Sequence, residues 1–515
     1  MTAKHINTLL FVLYALTVVA TLTILSWHAD FSVDDMFITF RYADHFLKGE
    51  GLVWNTGERV EGYSSLLMVL MLSGLHWLGV GYVVAAKLLG ILGFAGLIAG
   101  AHLYWRKTYK QGSYVFVSLI GSILIAVNYP LIVWAMGGLE TDIFTALVCV
   151  AVVLLLLQDK SKHADRLCIV AGAIFGIAML ARPEAPLFAV ISAIYVLFAK
   201  KKKNPSGALL LLAPFVLIAA AHIAWRYGYY GEFLPNTYYA KLSGEMTGEH
   251  LLKGLRYIWE FMKAPPYMLV YLLAVVPFML KKSKHRRENL YLFAMIALYL
   301  LYVVYAGGDW MKGARLIVPV IPLMVMLLLN VTVQHMDTPA SHSLLAGMAV
   351  LLLCFAQKSY YYTAPMAKYP YYWDRIAEYI RTDWKSDSLI AINMAGQIPY
   401  LTPKQRYIDM LGINDRHIAK QQVVFASGKG NIGHYKGDGK YVLSRKPDYI
   451  IMRDGFTSDI SPEGVTFVSE KEIAASPEFK RLYRRKTVSL RLPDTAPIPE
   501  KTFKFKYLER VAARK

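Results

Sequence analysis

The chain has 515 residues, of which 56% are hydrophobic and only 18% charged. A soluble domain usually carries about 25% charged residues, so composition excludes an ordinary soluble enzyme, and its apolar richness excludes disorder. Yet 56 Lys+Arg stand against 36 Asp+Glu, a net charge of +20. An apolar chain with a basic excess reads first as a membrane protein, with nucleic-acid binding as the competing reading.

A hydrocarbon core about 30 Å thick needs roughly 20 apolar residues in a helix. Ile6 to Trp27 meets this, and no small-x-small cleavage site follows, so it is expected to stay as a first span. Further apolar runs cover 82–104, 113–134, 141–157, 167–181, 186–199, 208–225, 267–280, 289–305, 315–332 and 342–356. The run Tyr63–Leu78 fits either a span or a juxtamembrane helix lying flat. Lys and Arg gather in cytoplasmic loops, and the strongest basic loops are KKKK at 200–203 and KKSKHRRE at 281–288. If 63–78 lies flat, the basic loops all fall on the side of the N-terminus. The expected segments on that side hold 16 Lys+Arg, against 3 in the first outer loop, 28–62. The sequence therefore predicts a polytopic α-helical membrane protein of eleven spans with its N-terminus inside and its C-terminus outside. Cys149, Cys168 and Cys354 lie in apolar runs and read as small core residues.

Composition changes after residue 356. Residues 1–356 read as the transmembrane domain and 357–515 as a periplasmic α/β domain. YWDRIAEYIRTDW (372–384) has helical spacing, and β-like runs follow at Leu389–Asn393, Tyr407–Met410, Tyr449–Met452 and Thr502–Tyr507. The basic stretches 480–492 and 501–515 alternate charge with aromatic or aliphatic residues, as a solvated strand face does.

Polar residues recur at the expected outer span ends. Asp34 and Asp35 lie just beyond the first span, where a partly desolvated carboxylate can take a proton from a hydroxyl. A solvated loop acid or a helix cap is the plainer reading. Glu140 lies in WAMGGLETD, Arg182 and Glu184 in LARPEAP, Tyr239 and Lys241 in LPNTYYAKLS, and Asp309, Trp310, Lys312 and Arg315 in GGDWMKGAR. Charges at membrane depth are expensive and usually pair or serve function. Cations beside acids and aromatics suit a ligand with phosphate and hydroxyl groups.

The run DDMFITFRYADHFLKGEGLVWNTGERVEGYSS, with ARPE, FLPNTYYAK, GGDWM, RLIVP and YIDMLGINDRHIA, resembles the GT-C glycosyltransferases. Within them it is similar to the arabinofuranosyltransferases of cell-wall arabinan and of type IV pilin. The resemblance spans roughly 28–320 and 389–420. It implies an acid of the first outer loop as base (Asp34 or Asp35) and donor phosphate held by Arg182, Lys241, Arg315 or Arg41. It further implies Glu140, Glu184, Tyr239, Asp309 and Trp310 along the sugar or acceptor site. Asp409 is expected where the outer domain meets the membrane part.

The expected donor is a polyprenyl-phosphate sugar, most simply D-arabinofuranose, and the acceptor a hydroxyl of pilin Ser/Thr or of a cell-envelope glycan. No metal is expected to be required, although an Asp-Asp pair can join a divalent site when other oxygens contribute. A GT-C enzyme moving mannose or aminoarabinose is the main alternative. A lipid-linked sugar transporter fits less well, because the charges sit at one face and no repeat is visible. Nucleic acid is not an expected partner, since the basic loops follow from topology.

Overall fold

The computed structural model describes residues 17–109, 111–158, 161–198, 204–241, 244, 247–263, 285–311, 313–335, 368–423, 434–456 and 467–511. They fall into two compact units: Met1–Phe31, Val83–His222 and Leu252–Ala364 in one, and Ser32–Tyr82, Ile223–Leu251 and Pro365–Lys515 in the other.

Among the described residues five helices are long and apolar enough to cross a membrane: Tyr82–Thr108, Ala164–Ala181, Pro205–Tyr230, Arg286–Tyr305 and the run Arg315–Val333. Val117–Ala126 and Tyr129–Met136 make a sixth if the pair is one span bent by 56°. Pro130 lies in the first turn of the second piece, where a residue without an N–H begins a helix but cannot continue the one before. Thr17–Ser26, Thr141–Leu157 and Ala185–Phe198 are shorter apolar helices. These nine coincide with nine of the eleven expected spans; 267–280 and 342–356 lie outside the described residues, as does Cys354.

Small residues let the first unit pack closely. A Cβ on Gly90 would fall 2.0 Å from the Ala135 carbonyl oxygen. The buried amide of Asn330 is fully partnered in this unit: it donates to Tyr104 Oη at 2.7 Å and to Asn289 Oδ1 at 3.1 Å, and accepts from Tyr109 Oη at 2.8 Å.

The second unit is built on a five-stranded sheet of order β2-β1-β3-β5-β4. The strands are β1 (Leu389–Ile392), β2 (Arg406–Asp409), β3 (Tyr449–Ile451), β4 (Tyr483–Arg491) and β5 (Thr502–Arg510). β1 runs parallel to β2 and β3, and β5 is antiparallel to β3 and β4. The three parallel strands are short and apolar, and their Ala391, Ile408 and Ile450 are buried with Ile418, Val442 and Ile473 from the surrounding helices. β4 is mostly exposed, as its alternating basic sequence anticipates.

Two further chain segments fold with this sheet. The first-loop helix Asp34–Leu47 packs on Leu66–Trp77 and on the short helix Gln397–Leu401. Edge strand β2 is closed by a side chain: Asn55 donates Nδ2 to the Tyr407 carbonyl at 2.7 Å and accepts from the Tyr407 N–H at 3.2 Å. This amide supplies the pair of bonds a neighbouring strand would supply and removes an open edge. Asn236, opening the helix Asn236–Lys241, donates to the carbonyls of Gly412 and Ile413, both at 2.9 Å.

Candidate functional site

Asp34 and Asp35 fill the first turn of the first-loop helix behind extended Val33. Free N–H groups and the helix dipole favour carboxylates there. Asp34 is tied elsewhere in its unit. Its Oδ2 accepts from the Gly396 N–H at 2.9 Å and its Oδ1 from the Gln397 N–H at 2.8 Å. A Cβ on Gly396 would lie 1.9 Å from the Asp34 carbonyl oxygen, so glycine is required for this approach. Burial pushes the Asp34 carboxyl up to about 7; the Gln397 N–H opposes this, and the charge of Asp35 adds to it. Asp35 is half-buried and makes no hydrogen bond or ion pair among the described residues. The two acids that the sequence leaves equivalent are thus in different states: one is committed to backbone donors and the other is available.

Arg41 and Asp409 are enclosed rather than presented to a ligand. Arg41 is 3% exposed. It donates to the Trp54 carbonyl at 2.6 Å, to the Pro399 carbonyl and to the Gln405 carbonyl at 3.4 Å. Its guanidinium lies 5.6 Å from the Trp54 ring centre and 5.4 Å from that of Tyr407. Burial lowers its pKa to about 10. Its guanidinium donors are engaged by these carbonyls. Asp409 is fully buried and accepts from the N–H groups of Leu411 and Asn414 at 3.0 and 2.8 Å and from Asn414 Nδ2 at 3.0 Å. Burial raises its pKa to about 6 against these bonds. It holds the turn that follows β2.

On the helix Asn236–Lys241, Tyr239 donates its hydroxyl to Glu232 at 3.3 Å. Lys241 is half-buried and has no hydrogen bond or ion pair among the described residues.

In the first unit Arg182, Glu184 and Glu140 come together. Arg182 meets Glu184 through two bonds of 3.2 and 2.7 Å and Glu140 at 3.1 Å, and Tyr302 donates to Glu184 at 3.2 Å. All three charged residues are buried. Arg182, expected to hold the donor phosphate, thus shares its guanidinium between two carboxylates. Asp309 and Arg315 also pair, with Nε to Oδ2 at 2.8 Å, and the Arg315 guanidinium lies 5.7 Å from the Trp134 ring centre. Trp310 beside them is exposed. Lys312 lies outside the described residues.

The sequence reading missed one buried pair of the second unit. Arg226 meets Glu61 through bonds of 2.6 and 3.2 Å. Their aromatic neighbours Tyr63, Trp225, Tyr229 and Tyr230 are the sequence feature that hints at burial. Among the described residues no three His, Cys, Asp or Glu converge to hold a metal ion.

Solved structures share this architecture. One is ArnT from Cupriavidus metallidurans bound to undecaprenyl phosphate, with a TM-score of 0.52 and 13% identity, over 79% of this chain and 86% of that one. Another is the oligosaccharyltransferase AglB from Archaeoglobus fulgidus in complex with an inhibitory peptide and a dolichol-phosphate. It has a TM-score of 0.53 and 12% identity, over 96% of this chain and 76% of that one. The chain shares the fold of these structures, with apolar helices able to span a membrane and a C-terminal α/β domain.

In sequence the chain is arabinofuranosyltransferase-like, which bears out the resemblance read from the first loop. It is 27% identical over 339 residues to the terminal beta-(1->2)-arabinofuranosyltransferase of Mycobacterium tuberculosis, covering 58% of this chain and 52% of the relative. It is 25% identical over 347 residues to the enzyme of the same name from Corynebacterium glutamicum, covering 58% of this chain and 48% of that one. The chain spans about half the length of the curated relatives it matches. Residues 360–494 match a domain of unknown function, DUF8728.

Proposed function

We propose that this protein is a membrane glycosyltransferase that moves a pentose, D-arabinofuranose, from polyprenyl phosphate to a hydroxyl of an extracytoplasmic acceptor. The observation that carries the reading is the available carboxylate of Asp35 beside the tethered Asp34, in a fold shared with a lipid-phosphate-bound neighbour. Asp35 takes the acceptor proton as the oxygen attacks the anomeric carbon and the bond from that carbon to the donor phosphate breaks. The phosphate leaves with a developing charge that a nearby cation stabilises. Lys241, unpaired among the described residues, is the cation assigned to it. No metal is assigned a role.

The basic loops support a cytoplasmic N-terminus and a periplasmic C-terminal domain in a bacterial inner membrane. The named relatives support arabinofuranose as the sugar. The acceptor follows the same reading: a cell-envelope glycan, with pilin Ser/Thr as the protein counterpart.

The test is transfer by purified protein from a radiolabelled polyprenyl-phosphate arabinofuranose. Removing a general base typically costs about 100- to 10,000-fold in rate, so Asp35→Asn is expected to lose transfer by that factor. Wild-type turnover in Asp35→Asn would remove Asp35 from the mechanism. Transport of labelled lipid without any transferred sugar would remove the transferase reading altogether. Mass spectrometry of envelope glycans and pilin, with and without the protein, assigns the acceptor by where a pentose disappears.

A further inference from the structure

The second unit carries an open cleft of about 840 Å³, of mixed polar and apolar lining, that no part of the proposed chemistry uses. Two layered stacks contribute to its wall, one through Arg59 and Tyr229 and the other through His417, Tyr441 and Arg445. In one, Trp225 and Tyr229 lie nearly parallel at 13° with centroids 5.7 Å apart, and the Arg59 guanidinium covers Tyr229 at 4.8 Å. In the other, His417 stacks on Tyr441 at 4.0 Å and 19°, with the Arg445 guanidinium 5.7 Å from the Tyr441 ring centre.

Hydrogen bonds hold both stacks. The Leu52 N–H donates to the Tyr229 hydroxyl at 3.1 Å. The Tyr441 hydroxyl donates to Asp415 at 3.0 Å and accepts from Arg445 at 2.7 Å, and His417 meets Asp438 at 2.9 Å. Planar groups fixed in this way lose little freedom when a ligand arrives.

Charge chooses the ligand class. The wall holds Arg59, Arg416, Lys420 and Arg445 with Glu58 and Asp415, and its cations are engaged within the protein: Lys420 pairs with Glu232 at 2.5 Å, Arg445 with Glu58 at 3.7 Å, and Arg416 donates to the Arg59 and Tyr230 carbonyls at 2.9 and 2.8 Å. A polyanion would face Glu58 and Asp415 at close range, and an acyl chain would strip charged groups of water without replacing it. A sugar hydroxyl both donates and accepts, and planar Arg, His and carboxylate edges match it on either count. Asn414, also in the wall, accepts from the Tyr42 hydroxyl at 3.2 Å, which joins the cleft to the helix that carries Asp35.

We infer that this cleft binds a neutral oligosaccharide, the acceptor glycan or the product chain. The inference deepens the glycosyltransferase reading and rests on it for the ligand's role, whereas the binding itself is measurable without turnover.

The probe is a synthetic arabinofuranose hexasaccharide titrated onto the whole detergent-solubilised protein, followed by saturation-transfer NMR and calorimetry. Binding is expected to change less than twofold between 50 and 500 mM salt, because the ligand is uncharged. Arg59→Ala with His417→Ala is expected to weaken it at least tenfold while leaving the melting temperature within about 2 °C. Arg59→Lys, which keeps the charge and loses the planar stack, is expected to weaken it several-fold. No hexasaccharide binding, binding that salt abolishes, or full binding by Arg59→Lys would each overturn the assignment. Loss of transfer with binding intact would count against the catalytic reading and leave the cleft assignment standing.

Discussion

The Asp34 carboxylate accepts two backbone N–H bonds, at 2.9 Å from Gly396 and 2.8 Å from Gln397, across more than 360 residues of sequence. The first residue of the first-loop helix run DDMF is thereby fixed to the loop that follows β1. These two bonds tether the start of the helix, one residue before Asp35.

Gly396→Ala tests the tether. The added Cβ would fall 1.9 Å from the Asp34 carbonyl oxygen and 2.7 Å from its Cγ, and backbone cannot yield as a side chain can. Overpacking of this kind typically costs about 1–3 kcal/mol. The variant is expected to melt earlier than wild type and to lose transfer in parallel. An unchanged melting temperature would mean that the tether carries no stability.

Arg182 holds two buried carboxylates, so its removal is worse than the loss of one contact. Arg182→Ala leaves Glu140 and Glu184 without their counter-charge, a change that typically costs about 3–5 kcal/mol. A large drop in folded yield and thermal stability in detergent is expected. The triple change Arg182→Met, Glu140→Gln, Glu184→Gln is expected to recover most of it, since the buried charges go together. Failure of the triple change to recover stability would show that shape, not charge balance, decides this cluster.

Asn55 closes edge strand β2. Asn55→Ala removes both bonds to Tyr407 and leaves a buried N–H and C=O unpaired, at roughly 1–3 kcal/mol for each unsatisfied group. Hydrogen exchange is expected to speed up at Tyr407 and its β-sheet neighbours before it does in the helical unit. Unaltered protection at Tyr407 would refute the strand-closing role.

Stability is expected to fall as pH rises from 5 to 8. Burial raises Asp34 to about 7, Glu61 to about 7 and Asp409 to about 6, above ordinary values of 3.8 to 4.5. Between those limits the folded state holds protons that the unfolded chain has released, so stability declines with pH there. The stabilisation is full below about pH 4 and gone once pH passes about 7. The melting midpoint should be higher at pH 5 than at pH 8, and Asp34→Asn should flatten the slope. A midpoint that climbs from pH 5 to 8 contradicts these raised acids.

The membrane part was largely legible in the sequence because a span announces itself by composition: about 20 apolar residues bounded by charge need no knowledge of neighbours. For nine of the eleven expected runs, the described residues contain a coincident helix. The short strands were legible as well, since β-like runs between Gly and Pro mark them locally. The first loop advertised its importance through its density of acids and aromatics, and that density placed Asp34 and Asp35 before any contact was known.

The roles within the site were not legible, because a side chain's role depends on what it meets. Arg41 and Lys241 are both cations in polar runs, yet one is enclosed among the carbonyls of Trp54, Pro399 and Gln405 and the other is half-buried and unpaired among the described residues. Arg182 meets Glu140, 42 residues away, a partner that no local pattern announces. Sequence by itself determined the apolar spans, the basic loops and the acids of the first loop, because hydrophobicity and charge are properties of single residues and short windows. Only the tertiary structure decided that Asp34 is tethered and Asp35 available, because burial and hydrogen bonding are properties of pairs brought together by folding.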